Sequence, residues 1–333
     1  MLKNQLGAFA RTWANFHVPG SKPDIMLLST PRSGSTWLME TVVAERGIRP
    51  CNEPFNLRKP EVVARLGIES WEELCSLEAR IKIERYLCAY STNQPGYRFK
   101  NLRPFESGYN LFTNRVLFKV LFCLEDSIDW IKHSLNMQVV VLIRHPIPVS
   151  LSREALPRLS SLIDSTVFHA LSADQQRYSR NIYESGSWRE KAVLDWTLQN
   201  LPLVAATDSA DLFVTYEQMV MEPEVIVDRL IATLDLDCEQ SVRANVDRPS
   251  RSVSKSSQAQ AELLRSADKS KAELVDRWVA RLSDDERSRL MEIPERLGLS
   301  VYPTRGVLPS KDYWISTERF PSQYHSLQQE MGS

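Results

Sequence analysis

The chain alternates short, nearly unbroken apolar runs with longer amphipathic stretches that have polar boundaries. Four runs have the length and aliphatic content of strands buried on both faces: Ile25 to Ser29 (IMLLS), Val116 to Phe122 (VLFKVLF), Gln138 to Ile143 (QVVVLI) and Leu212 to Thr215 (LFVT). Between them lie helical patterns with legible starts. Ser70-Trp71-Glu72-Glu73 and Ser187-Trp188-Arg189-Glu190 have capping-box form, an acceptor side chain followed three residues later by Glu. Thr215-Tyr216-Glu217-Gln218 opens another helix, and Pro223 suits the first position of the helix EVIVDRLIATL. Residues 260–297 predict two helices parted near Ser283. Trp188 and Trp196, eight apart on one helix, share a similar face and predict core positions. Strands alternating with helices predict an α/β fold, a P-loop-like three-layer sandwich with a central parallel sheet and helices on both faces.

The first apolar run leads directly into Thr30-Pro31-Arg32-Ser33-Gly34-Ser35-Thr36 and then into a helical stretch, Trp37 to Glu45. A polar loop that leaves a buried strand and enters a helix aims backbone N–H groups at one point, and the helix dipole adds partial positive charge there. Ser33, Ser35 and Thr36 add hydroxyl donors, Gly34 lets the backbone come close to a ligand, and Arg32 brings a fixed charge with forked donors. Such a loop suits an anion of phosphate geometry. It is not a Walker A loop, since GxxxxGK[ST] occurs nowhere in the chain. Taken alone it is also compatible with a serine-rich turn that caps a helix and holds no ligand.

A second polar constellation follows the strand QVVVLI, which ends in Arg144-His145-Pro146-Ile147-Pro148-Val149-Ser150-Leu151-Ser152-Arg153. Ligands of open α/β sheets bind beyond the carboxyl ends of the strands. An arginine at a strand end and a serine eight residues later in the next helix can converge on a further phosphate. The alternative is a structural ion pair for Arg144 and a surface position for Ser152.

Composition narrows the function classes. The 333 residues are 43% hydrophobic and 25% charged, enough for one large domain or two small ones. With 41 basic and 42 acidic residues there is no basic excess of the kind that general nucleic-acid binding requires, although a local pocket for a small anion remains open. The five cysteines (Cys51, Cys75, Cys88, Cys123, Cys238) are widely spaced without zinc-ligand pattern, which predicts free thiols in a reducing compartment. The first residues carry no long apolar core or cleavage site, and no run approaches the ~20 apolar residues of a membrane span. The expectation is a cytoplasmic protein with an N-terminal arm over 1–23, a catalytic domain over 24–302 and a C-terminal extension over 303–333.

The two loops together resemble a known family. TPRSGSTWL is similar to the 5′-phosphosulfate loop of sulfotransferases, and LIRHPIPVSLSR to their 3′-phosphate motif. The arginine in the loop and the Arg-x-Pro start of the second motif look most like carbohydrate and tyrosylprotein sulfotransferases and their bacterial relatives. FVTYEQMVMEP is similar to the family's strand-then-helix segment after these motifs. The resemblance covers about residues 24–56, 116–155 and 211–225.

This resemblance implies transfer of a sulfuryl group from 3′-phosphoadenosine-5′-phosphosulfate (PAPS) to an acceptor hydroxyl, leaving 3′-phosphoadenosine-5′-phosphate (PAP). Arg32, Ser33, Gly34, Ser35, Thr36 and Trp37 would hold the 5′-phosphosulfate, and Arg144 with Ser152 the 3′-phosphate. Arg32 would also stabilise charge on the departing bridging oxygen, and no metal is implied. Glu53, 21 positions after Arg32 in Cys51-Asn52-Glu53-Pro54-Phe55, would be the general base. A loop carboxylate paired with Arg49 or Arg58 is the alternative. His145 is the rival base, expected instead to be a partly buried strand-end histidine. Lys119, a lone cation within an apolar strand, points into the acceptor cleft or pairs with an acid. Arg248 to Lys255 is the candidate for a late basic closing loop. A small-molecule or carbohydrate acceptor is expected, with no nucleic acid, and the oligomeric state is left open. The competing functions are a nucleotide-dependent phosphoryl transferase and a non-catalytic sulfotransferase-like binding protein.

Overall fold

A computed structural model of the chain describes residues 16–94, 97, 110–246 and 269–315. The basic stretch Arg248 to Lys255, most of the N-terminal arm and the tail beyond 315 lie outside the described residues. Five strands form one sheet: β2 (Ile25–Ser29), β3 (Ile48–Asn52), β5 (Arg115–Val120), β6 (Gln138–Ile143) and β7 (Leu212–Thr215), in the order β3-β5-β2-β6-β7. Every pair in it is parallel. The two-residue strands β1 (Phe16–His17) and β4 (Phe112–Thr113) pair separately.

The expected α/β sandwich is present because the strands alternate sides at the two-residue period. Met26, Leu28, Val116, Phe118, Val139 and Val141 point into one core, shared with helices Arg80–Ser91, Trp188–Ala205 and Asp284–Arg296. Ile25, Leu27, Leu117, Val140, Leu142 and Val214 point into the other, beneath Ser35–Val43, Pro223–Leu234 and Glu239–Val246. Both faces being buried explains why these strands read as continuous apolar runs.

Four details differ from the sequence reading. The strand predicted to reach Phe122 ends at Val120, where its pairing with Leu28 stops and the chain bends away. Strand β3 carries no apolar run; its Arg49 and Pro50 are tolerated because it is an edge strand, paired on one side only. The first helix begins at Ser35 instead of Trp37. Trp196 is 1% exposed and Trp188 47%. Eight residues rotate a side chain by about 80° around a helix, and Trp188 opens the helix where the neighbouring layer no longer covers it.

The helix starts behave as their capping chemistry requires. Ser187 and Glu190 form the reciprocal box, and Pro223 sits in the first turn of its helix. Ser70 accepts from the Glu73 N–H, but the Glu73 carboxylate is drawn to Lys82 at 2.6 Å, and the helix Trp71–Leu74 stays at one turn. Ser283 caps the helix Asp284–Arg296, as the predicted break requires.

Two buried histidines make acid stability predictable. Burial pulls His17 down to about 4 and His145 to about 3, from an ordinary 6.5. On acidification through this window the unfolded chain takes up protons that the folded chain refuses, so stability rises with pH and is lost as pH falls below 6.5. The melting temperature should therefore drop between neutral pH and about pH 4, less steeply in His145→Gln. A pH-independent melting temperature would show that neither ring is buried in solution.

Candidate active site

The sheet topology marks one crevice. From β2 the chain passes to β3 on one side, and from β6 it passes to β7 on the other. The carboxyl ends of β2 and β6 therefore flank the switch point, where open α/β sheets bind ligands. Both candidate motifs lie here. The Arg144 guanidinium donates to the Arg32 carbonyl at 3.2 Å, so the two loops touch across 112 residues of sequence.

The first loop is shaped by two residues in the left-handed region, Arg32 at φ 72° and Gly34 at φ 90°. Gly34 is the cap residue of the nine-residue helix Ser35–Val43, and no side chain caps it. The first N–H groups of that helix are therefore available to an anion. The Ser33 hydroxyl is turned inward, 2.8 Å from the Thr30 hydroxyl, while Arg32 is exposed. Ser35 is buried and Thr36 half-buried. Trp37 donates its indole N–H to the Val246 carbonyl and packs edge-on against Tyr216.

Tyr216, directly after β7, supplies the reason for the glycine. A Cβ on Gly34 would lie 2.5 Å from the ring Cδ2 of Tyr216. The close approach at Gly34 is thus to a protein ring. Gly34→Ala should lose about 1–2 kcal/mol from the left-handed backbone alone, with Tyr216 displaced as well. Melting temperature and phosphate binding should fall together; an unchanged melting temperature would show that the ring yields freely.

The same ring carries the second motif. The Arg144 guanidinium lies over the Tyr216 ring, 4.1 Å from its centre. Its Nε is buried without a partner. The buried Glu217 carboxyl accepts instead from Tyr302 at 2.6 Å and from the His145 N–H at 3.0 Å. Arg277, after the helix Lys269–Asp276, is electrostatically coupled to Arg144, Arg281 and Tyr216, and its pKa is lowered by burial and by the two other arginines. Sequence reasoning placed Tyr216 only at a helix start and gave Arg277 no role, because only the fold brings both to Arg144.

Ser152 ends the short helix Pro146–Ser152, and its hydroxyl donates to the Pro148 and Val149 carbonyls. One hydroxyl rotation would free that proton for an anion. His145 is fully buried. It accepts the Ile147 N–H at Nδ1, pairs through Nε2 with the Gly306 carbonyl at 3.1 Å, and stacks on Trp278. That assigns the proton to Nε2 and gives His145 a structural role, in keeping with the expected strand-end histidine.

Glu53 follows β3 with φ 56°, a strained conformation for a non-glycine residue. Its N–H donates to the Lys119 carbonyl at 2.9 Å, which holds it against the end of β5. Asn56 donates to its carboxylate at 2.8 Å, with Lys119 at 3.6 Å and Lys59 at 3.7 Å. Neither Arg49 nor Arg58 is the salt-bridge partner here; Arg49 is buried against Asn93 and the Tyr90 carbonyl. Burial raises the Glu53 pKa, but Lys119, Asn56 and Lys59 outweigh it and hold the group below the ordinary carboxylate value.

Lys119 resolves the charge in the apolar strand. Two residues beyond Leu117 on the same strand face, it is buried. Its ammonium reaches Thr36 at 3.0 Å and Glu53 at 3.6 Å. Burial lowers its pKa, partly offset by Glu53. The arrangement is a bridge from the anion loop to the candidate base.

Three strand ends leave buried polar atoms without partners: Asn52 Oδ1 at the last residue of β3, Arg144 Nε after β6 and Thr215 Oγ1 closing β7. Such atoms are costly unless a ligand or water satisfies them. With the uncapped helix start, they leave polar groups at the strand ends for a ligand or water to satisfy.

No family model and no curated protein matches the chain. Among solved structures it is similar to the sulfotransferase domain of a Synechococcus olefin synthase, at 16% identity and TM-score 0.44, over 84% of this chain and 95% of that one. It is also similar to the sulfotransferase domain of the curacin biosynthetic pathway, at 14% identity and TM-score 0.41, over 84% and 98% of the two chains. A mouse sulfotransferase complexed with PAP is similar at 13% identity and TM-score 0.40, over 88% of this chain and 90% of that one.

Proposed function

We propose that the chain is a sulfotransferase that takes the sulfuryl group of PAPS and places it on the hydroxyl of a small-molecule or carbohydrate acceptor. The observation that carries this reading is the meeting of Arg144 and Arg32 at the switch point, beside an uncapped helix start and an orphaned Arg144 Nε. Two separate cationic sites in one crevice suit a nucleotide with phosphates at both 3′ and 5′ positions better than one with a single polyphosphate.

The residues then divide the work. The helix start, Ser35, Thr36 and Arg32 hold the 5′-phosphosulfate, and Arg144, with Ser152 and Arg277, the 3′-phosphate. PAPS, when bound, supplies an activated sulfuryl group whose leaving group is already a stabilised phosphate. Arg32 and Lys119 face that leaving group with positive charge, the main catalytic contribution in a loose, in-line transfer. Glu53, ionised at neutral pH, takes the proton of the acceptor hydroxyl as the new O–S bond forms. Lys119 and Asn56 fix the carboxylate for that step. The setting is proposed to be cytoplasmic; among the described residues no helix is long and apolar enough to cross a membrane.

Calorimetric titration of the protein with PAP, and separately with ATP, tests the proposal. The expected result is micromolar binding of PAP, about −8 kcal/mol, with ATP at least tenfold weaker. Equal binding of both would overturn it in favour of phosphoryl transfer.

A further inference from the structure

Away from the nucleotide crevice, a cavity of about 260 Å³ lies between the helix Trp71–Leu74, the segment after β5 and the residues around Arg158. Two of the five cysteines line it. Cys75 follows the helix and is exposed; Cys123 is buried, three residues beyond the end of β5. The Cys123 thiol donates to the carbonyl of Leu74, the residue just before Cys75, at 3.6 Å.

The surroundings of the pair separate it from the other thiols. The Arg158 guanidinium donates to the Cys75 sulfur at 3.3 Å and is itself buried and ion-paired with Glu125. Burial would raise the Cys75 pKa, but the Cys123 hydrogen bond, the largest influence, and Arg158 bring it below the ordinary thiol value. Glu125 and Asp126 oppose them, and Glu72, Arg80 and Asp164 also line the cavity. Cys51 is the opposite case: burial pushes its thiol up to about 12. An exposed cysteine whose sulfur meets a guanidinium, with a second thiol lining the same cavity, is the arrangement that reacts with peroxides and then closes a disulfide.

We propose that Cys75 and Cys123 form a peroxide-reactive pair, with Cys75 as the attacking sulfur and Cys123 as the resolving one. The Cys75 thiolate attacks one oxygen of a hydroperoxide, and the O–O bond breaks. Sulfur becomes a sulfenic acid, and the released hydroxide takes up a proton to leave as water. The Cys123 sulfur then attacks the Cys75 sulfur, the S–OH bond breaks and a second water departs. In sum two thiols lose two electrons and two protons, and hydrogen peroxide is reduced to two waters. The bridge would tie the Trp71–Leu74 helix to the segment that leaves β5 four residues after Lys119.

The test is graded hydrogen peroxide on the folded, full-length protein, followed by alkylation and peptide mapping by mass spectrometry. Wild type should yield a Cys75–Cys123 disulfide, reversed by dithiothreitol, before Cys88 is modified. Cys123→Ser should accumulate a Cys75 sulfenic acid that dimedone traps. In Cys75→Ser, Cys123 should remain reduced at doses that fully bridge the wild type. Iodoacetamide should label Cys75 about fivefold or more faster than exposed Cys88, and Arg158→Lys or Arg158→Gln should narrow that ratio. Oxidation of Cys88 at the same dose as Cys75, or bridges to other cysteines, would overturn the assignment. None of these readouts depends on sulfuryl transfer.

Discussion

Arg144→Ala is expected to weaken PAP binding by about 100-fold or more, while leaving the melting temperature within a few degrees of wild type. The argument begins with what the side chain does in the free protein. Its guanidinium rests on the Tyr216 ring and makes one bond to the Arg32 carbonyl, and its Nε is unsatisfied. Little native stability depends on it, so truncation costs the fold little. Charge-assisted, forked bonds to a phosphate contribute about 1.5–3 kcal/mol each, and a 100-fold loss corresponds to about 2.7 kcal/mol. Arg144→Lys should recover only part of the affinity, because an ammonium offers no fork to the phosphate and stacks less well on the ring. Adenosine 5′-phosphosulfate, which lacks the 3′-phosphate, should bind wild type and Arg144→Ala alike. Calorimetry with the two nucleotides reads this directly. An equal loss for both would mean that Arg144 supports the loop through the Arg32 carbonyl and does not recognise the 3′-phosphate.

The second large effect is expected at Glu53. Glu53→Gln should lower kcat by about 10²–10⁴-fold, the usual contribution of a positioned base, with PAP affinity nearly unchanged. Glutamine keeps the shape and can still accept from Asn56, so the β3 end and its strained backbone persist. The pH profile gives an independent check. Burial works to raise the Glu53 pKa, but Lys119, Asn56 and Lys59 prevail and lower it, so the carboxylate stays ionised to more acid pH than an ordinary glutamate. The acid limb of kcat/KM should therefore lie below pH 4.5, and the profile should be flat from there towards neutrality. Lys119→Met should move that limb upward as the largest favourable charge is removed. The stability linkage has the same sign: Glu53 stabilises the fold above its unfolded pKa, and that contribution is lost as pH falls through the depressed folded value. A Glu53→Gln enzyme with wild-type kcat would remove Glu53 from the chemistry and direct attention to Lys119.

Much of this molecule was legible in its residue order. Strands β2, β6 and β7 were read to their ends, because strands buried on both faces must be apolar at every position. The loop after β2 and the arginine after β6 were legible for a different reason. Anion binding at a strand-to-helix turn requires particular small, hydroxylic and cationic residues in close succession, and such local requirements leave a local trace. Ser187 with Glu190, Pro223 and Ser283 were legible on the same principle, since capping is chemistry within one helical turn.

Where partners are far apart in the chain, residue order was silent. The edge strand β3 was not among the apolar runs because pairing on one side only relaxes the demand for apolar residues and admits Arg49 and Pro50. Gly34 was understood as an approach for a ligand; that the ring of Tyr216, 182 residues away, also lies against it was not legible. The joining of Lys119 to Thr36 and Glu53, of Arg144 to Arg32 and Tyr216, and of Cys75 to Cys123 and Arg158 are all contacts between distant segments. The sequence by itself determined the fold class and marked the two candidate anion-binding motifs, because periodicity and turn chemistry act over a few residues. Which strand ends share a crevice, and which charges face each other across it, was decided only by the order β3-β5-β2-β6-β7, because parallel pairing is fixed by burial of whole faces and not by any neighbouring residue.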